Sequence, residues 1–213
     1  MEIKVLKLGH IQTNCYLVST QKAALVIDPG FKSEAVKEFL KENSDKERLI
    51  LLTHAHFDHI GAALDLKNEC NVKIAIGELE NPFLSDSYHN LSDKFHAHIE
   101  PFSADILLKE EEIFEIGDLT VNVISTPGHT FGSVCYLING VLFSGDTLFY
   151  ESIGRTDFVT GDYDAIVRSI RKLYDLNCDT VVLPGHGDKT TVKHEKIYNP
   201  FVRQNNETLS YKP

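Results

Sequence analysis

The chain has no apolar run near the roughly 18 consecutive residues that a membrane-crossing helix needs, which excludes a transmembrane reading. Its start, Met1-Glu2-Ile3-Lys4-Val5-Leu6-Lys7, alternates like a strand and lacks the charged-then-apolar layout of an export signal. The expectation is a cytoplasmic protein. Positive charge is short: 21 Lys and Arg stand against 31 Asp and Glu, a net charge of −10 with histidine neutral. A protein that tracks nucleic-acid phosphates needs clustered cations, so nucleic acid is not expected as a partner, nor is a membrane. Cys15, Cys70, Cys135 and Cys178 form no C-x-x-C pair. Cys15 and Cys135 each precede a tyrosine in an apolar run and read as core thiols, reduced rather than bridged. No low-complexity linker divides residues 1–213, so one domain is expected.

What is present is an interleaving of strand and helix signals. Glu2–Leu8, Cys15–Val18, Ala24–Asp28, Arg48–Leu52 and Val72–Ile76 read as strands. Ser33 opens a helix that ends near Asn43, and a second helix is expected from Ala62. Later strands are Glu112–Ile116, Leu119–Ser125, Val134–Ile138, Val141–Ser144 and Thr180–Leu183, with a hairpin turn at Asn139-Gly140. Asp162 caps a helix with apolar positions Ile166, Val167, Ile170 and Leu173, and a last helix covers Val192–Tyr198 before Pro200 and a polar tail. The class is α/β or α+β, with sheets covered by helices. Residues 78–104 break the pattern. They carry Pro82 and Pro101 with scattered Phe83, Tyr88, Phe95 and Phe102, and read as a folded, lid-like excursion. Its His89, His96 and His98 have no strand end to aim them, so surface or lid roles are expected.

One stretch concentrates the chemistry. Thr53-His54-Ala55-His56-Phe57-Asp58-His59 follows the apolar strand ending at Leu52 and places three imidazoles and a carboxylate within six positions. Imidazole nitrogen and carboxylate oxygen are ligands for zinc, iron and manganese. Three more strand ends repeat the device. His129 follows Thr126-Pro127-Gly128, Asp146 follows Ser144-Gly145, and His186 follows Leu183-Pro184-Gly185. Each time an apolar strand ends, a glycine allows a tight turn, and one ligand-type side chain comes next. Four strand ends delivering seven ligands to one edge point to a metal site.

This set resembles the metallo-β-lactamase-fold hydrolases through His54-x-His56-x-Asp58-His59, His129, Asp146 and His186, in that order. It is more similar still to the glyoxalase II-like (hydroxyacylglutathione hydrolase) branch. Supporting residues are Thr13-Asn14-Cys15-Tyr16, Asp28-Pro29-Gly30, Thr130 after His129, and Thr147-Leu148-Phe149 with Gly154-Arg155 beyond. The resemblance covers about residues 10 to 200 and implies a four-layer αβ/βα sandwich. It implies two divalent metal ions, zinc foremost, with iron or manganese as alternatives. His54, His56 and His129 would hold one ion, Asp58, His59 and His186 the other, and Asp146 would bridge. Asp58 and Asp146 are thereby the catalytic carboxylates. Tyr150 and Arg155 are candidates for substrate binding; Arg155 either meets a substrate carboxylate or pairs with Asp157. Long glyoxalase II enzymes carry a C-terminal helical domain. Here His186 lies 27 residues from the end, so the chain is similar to the short relatives, as is Asn199-Pro200-Phe201.

The implied chemistry is attack on a thioester carbonyl by hydroxide shared between two cations about 3.5–4 Å apart. A thiolate of pKa about 8.5 departs without protonation, whereas an amine needs a proton donor. No such donor is obvious near these motifs; His10 and His194 could serve and read as surface residues. That chemistry favours a thioester over an amide, and the resemblance implies a small one of the S-acylglutathione type. The alternative on the same fold is an iron-dependent persulfide (sulfur) dioxygenase, which needs only a set such as His54, His129 and Asp146. Asp58, His59 and His186 argue for a second metal and for hydrolysis. A nuclease is disfavoured by charge, a β-lactamase by the missing export signal, and a non-catalytic binding module by the complete ligand set.

Overall fold

The fold follows from strands whose two faces are both apolar. In β2 (below), Cys15 and Leu17 join one apolar cluster while Tyr16 and Val18 join another. A strand buried on both faces lies inside a layered structure. The computed structural model describes residues 1–203; the polar tail expected after Pro200 lies, from residue 204 on, outside the described residues.

The first sheet has the order β1 (Glu2–Leu8), β2 (Thr13–Ser19), β3 (Ala23–Ile27), β4 (Glu47–Leu52), β5 (Lys73–Gly77), β6 (Ile106–Leu108). The first three strands are antiparallel neighbours, and β3 through β6 run parallel. The crossovers carry α1 (Glu34–Glu42), α2 (Phe57–Ile60) and α3 (Ala63–Cys70). The crossover to β6 carries a 3-10 turn (Asn81–Ser85) and α4 (Ser92–Phe95). Val36, Leu40 and Leu66 seal α1 and α3 onto Ile50, Leu52, Ile74 and Ile76.

The second sheet begins with β7 (Ile113–Ile116), β8 (Leu119–Ser125), β9 (Val134–Ile138) and β10 (Val141–Gly145). A small hairpin, β11 (Leu148–Phe149) and β12 (Ser152–Ile153), leads to α5 (Tyr163–Leu173), β13 (Val181–Pro184), β14 (Thr190–Thr191) and α6 (Val192–Tyr198). The order is β14-β13-β10-β9-β8-β7. Asp162 caps α5 by accepting from the Ala165 N–H (2.8 Å), and Ile166 and Ile170 seal the helix over Leu142 and Val182. Between the sheets lie Leu25, Leu51, Val121, Tyr136 and Phe143. Helix, sheet, sheet, helix: this is a four-layer αβ/βα sandwich, as the resemblance implies.

This topology gathers strand ends. β10 and β13 are parallel, and β9 is antiparallel to both β8 and β10, so β8, β10 and β13 all finish at one edge. The first sheet joins them there. The Val134 N–H donates to the Thr53 carbonyl (3.0 Å) and the Asn14 N–H to the Gly185 carbonyl (2.7 Å). The buried Tyr136 and Tyr16 hydroxyls donate to the carbonyls of Leu52 and Pro184, both at 2.6 Å.

The differences from the sequence reading are local. A helical turn at Phe57–Ile60 precedes the helix expected from Ala62, which begins at Ala63. β6, β11, β12 and β14 are two or three residues long, too short for a period to register. Residues 78–104 are anchored by buried Leu84, Leu91 and Phe102. All four thiols are free; Cys15, Cys70 and Cys135 are buried and Cys178 is exposed.

Candidate metal centre

All seven ligand candidates meet at the shared edge. His54 Nε2 lies 3.1 Å from His56 Nδ1, which lies 2.9 Å from His129 Nε2. Asp58 Oδ2 lies 3.4 Å from His59 Nε2 and 3.2 Å from His186 Nε2. Asp146 stands between the two groups. Its Oδ2 is 3.5 Å from His129 Nε2 and 3.6 Å from His186 Nε2, and its Oδ1 is 3.3 Å from His59 Nε2. Donors at about 2.0–2.2 Å from a tetrahedral ion lie about 3.3–3.6 Å from one another. The seven separations fall within a few tenths of an ångström of that range.

The outer atoms of the rings decide which nitrogen faces inward. The Thr53 hydroxyl donates to Asp28 Oδ2 (2.7 Å), so it accepts from His54 Nδ1 (3.0 Å). His59 Nδ1 donates to the same Asp28 oxygen (2.9 Å), and His129 Nδ1 donates to the Arg155 carbonyl (2.8 Å). With Nδ1 protonated in all three, Nε2 is the nitrogen turned to the cluster, and in the neutral ring it presents a lone pair there. His56 presents Nδ1 instead.

Buried polar groups brace these loops. Asp28 also accepts from the Thr53 N–H (2.8 Å). The fully buried Glu80 takes the Ala55 N–H on one oxygen (2.8 Å) and the Gly132 N–H on the other (2.9 Å). It thus ties the His54–His56 turn to the loop after His129. The Thr13 hydroxyl donates to Asp58 Oδ2 (2.9 Å). Asn14 Nδ2 donates to the carbonyls of Pro184 (2.9 Å) and Gly187 (3.0 Å), on either side of His186. Glycine at 185 is obligatory: a Cβ there would collide with Asp146 Oδ1 and the His59 ring.

The electrostatics ask for cations. Burial, reinforced by the neighbouring imidazoles, pushes His54 and His56 well below the usual histidine range; burial also lowers His129. Burial alone would lower His59 too, but Asp58, Asp146 and Asp28 surround it and raise it well above. Burial likewise opposes a charged His186, yet Asp146 and Asp58 raise it, and three carboxylates against two imidazoles leave negative charge in excess. His59 Nε2 and Asp146 Oδ1 face each other, buried, and neither has a hydrogen-bond partner. Neutral imidazoles, excess carboxylate and unpartnered atoms at ligand spacing fit divalent cations. The donor triples His54/His56/His129, His54/His59/Asp146 and Asp58/His59/His186 each close within 4.8 Å.

The other candidates stand apart from this cluster. Arg155 pairs with Asp157 through two bonds (2.8 and 2.7 Å) and holds that carboxyl down to about 2. Tyr150 is 49% exposed and stacks on His194 at 4.9 Å. His194 meets Glu151 (2.9 Å), and His10 sits edge-on to Phe31 at the surface. His89 lies flat on Phe83 and pairs with Asp86; His98 pairs with Glu100. Sequence reading missed Asp28 and Glu80. Asp28 was within reach, because it too ends a strand ahead of a glycine. Glu80 carries no local signal: its partners are 25 and 52 residues away.

Residues 8–186 match the family model described as the metallo-beta-lactamase superfamily. The chain is 36% identical over 208 residues to hydroxyacylglutathione hydrolase GloC of Haemophilus influenzae, covering 95% of this chain and 98% of that protein. Among solved structures it is similar to BLEG-1, described as a B3 metallo-beta-lactamase (40% identity, TM-score 0.87, 94% and 99% covered). It is also similar to TTHA1623 in a di-iron-bound form (32%, 0.83, 93% and 100%) and to ETHE1 from Myxococcus xanthus (28%, 0.77, 95% and 84%).

Proposed function

The chain belongs to the metallo-beta-lactamase superfamily as a metallo-hydrolase, and from that premise we propose that it is a glyoxalase II-like thioesterase with two divalent metal ions, zinc foremost. The observation that carries this reading is the paired donor set meeting at Asp146. In it His54, His56 and His129 would hold one ion, Asp58, His59 and His186 the other, and Asp146 would contribute to both. When bound, the ions lower the pKa of a water from about 15.7 toward 7 and polarise the substrate carbonyl.

The protein's own residues set the stage for that chemistry. Asp28, Thr53 and the Arg155 carbonyl keep three imidazoles in one tautomer. Glu80, Thr13 and Asn14 hold the ligand loops so that no reorganisation is needed on reaction. Outside the seven ligands, His10 and His194 are both turned to other partners, so neither stands ready to protonate an amine. A thiolate leaves without that help, which supports a thioester of the S-acylglutathione type. The likeness to GloC supports the same substrate class. Four free thiols support a reducing, cytoplasmic setting. The second donor group, Asp58/His59/His186, favours hydrolysis over a one-iron persulfide dioxygenase.

The deciding experiment is metal analysis of protein purified without added metal, followed by a substrate panel. Two ions per chain and fastest turnover of S-lactoylglutathione are expected. Full activity in metal-free protein, preference for a β-lactam, or oxygen uptake on glutathione persulfide with one iron would each overturn the reading.

A further inference from the structure

Phe158 stands beside the first donor group, its ring 5.8 Å from His56 and nearly perpendicular to it (83°). Two cations lie over this ring: Arg155 at 4.0 Å and Lys94 at 4.5 Å. They come from different parts of the chain, Arg155 from the loop after β12 and Lys94 from α4 within residues 78–104. Two aromatic contacts fix α4 in place. Phe95 stacks on Phe57 at 5.1 Å, and Phe57 lies between His56 and Asp58 in sequence. Phe95 also meets Phe158 edge-on at 6.2 Å. The position of Lys94 is therefore tied to the metal-binding turn.

The two cations differ in what they already hold. Arg155 is spent on Asp157. Lys94 makes no ion pair within 4 Å among the described residues and only adds at longer range to Arg155 in holding the Asp157 carboxyl down; the adjacent Asp93 is turned to Ser87 (2.7 Å). The Lys94 ammonium rests on one face of the ring, and because the residue is exposed its other side stays in water and open to an anion. The need for such a charge is general: a molecule of net charge −10 repels an anionic substrate unless cations line the approach.

We propose that Lys94 is a specificity-determining residue that takes a carboxylate of an anionic thioester, with α4 the element that carries it. This deepens the thioesterase reading and rests on it. Phe158 supplies the apolar wall between that carboxylate and the reacting carbonyl.

The test compares three variants that separate charge from packing. K94M keeps an apolar stem, K94R keeps the charge, and K94E reverses it. The quantity measured is the ratio of kcat/KM for S-lactoylglutathione to that for the uncharged S-lactoyl-N-acetylcysteamine. The ratio is expected to fall about three- to tenfold in K94M, through KM, and further in K94E. K94R is expected to restore it, and K94M to flatten its salt dependence. Calorimetry with S-methylglutathione repeats the comparison without turnover and is expected to show the same order of affinities. Turnover of both thioesters with an unchanged ratio, or a calorimetric affinity indifferent to residue 94, would overturn the proposal. Residue-94-dependent binding without any thioester turnover would uphold it and sink the thioesterase reading instead.

Discussion

His54, His56 and His129 are all but withdrawn from solvent, whereas His186, in the other donor group, keeps 28% of its side chain exposed. The first group is neutral and braced from several directions: Thr53, the Arg155 carbonyl, and Glu80 acting through two backbone N–H groups. The second is anionic, with Asp58 and the nearby Asp28 and Asp146, and its outermost ligand hangs on a turn clamped mainly by Asn14. The contrast teaches how one edge of a sandwich can present two donor groups of different character. A neutral cage is assembled by packing and backbone hydrogen bonds. A charged cage resists closure through carboxylate repulsion and relies on the cation itself.

The sharpest way to break the distinction is to remove the one side chain common to both groups. Asp146→Ala is expected to abolish stoichiometric binding of two ions and to lower kcat/KM by about a hundredfold or more, with a native far-UV spectrum. Elemental analysis after gel filtration checks it; two tightly held ions in the variant would contradict the shared ligand. Next comes the neutral half. Glu80→Ala leaves two buried N–H donors unpaired, at about 1–3 kcal/mol each. At about 2–4 °C per kcal/mol for a chain of this size, Tm should drop by roughly 5–20 °C, with the loss falling on the first group's ion. Calorimetric melts with and without metal read both effects.

Asn14→Ala probes the charged half. It removes two neutral hydrogen bonds, so a smaller loss is expected, about 1–3 kcal/mol of stability and about tenfold in the weaker metal affinity. Two-site titration calorimetry should find one affinity unchanged; equal weakening of both would erase the distinction between the halves. Arg155→Ala should matter least to the fold, because its pair with Asp157 is solvent-exposed and water screens it. If Arg155 also meets substrate, KM rises more than kcat falls; an insoluble variant would assign it to structure instead.

The seven ligand-type residues that cluster were legible because each obeys a local rule: an apolar strand ends, a turn follows, and a ligand-type residue comes next. The long strands were legible for a similar reason, since five to seven residues suffice to expose a period. The two- and three-residue strands β6, β11, β12 and β14 carry no such period and form only where a neighbouring strand offers its edge. Arg155 illustrates an alternative left open at the level of sequence, since a substrate carboxylate and Asp157 are equivalent partners until loop geometry puts Asp157 within 3 Å.

By itself the amino-acid order determined the interleaving of strands and helices and the placing of seven ligand-type side chains after four strand ends, because apolar periodicity and residue chemistry are local properties. Only tertiary structure decided the tautomers of His54, His59 and His129, the bracing by Asp28, Glu80 and Asn14, and the meeting of Lys94 with Phe158. Those depend on distances between segments 25 to 170 residues apart. Such distances are set by how two sheets pack and twist against each other, which no short stretch of chain encodes.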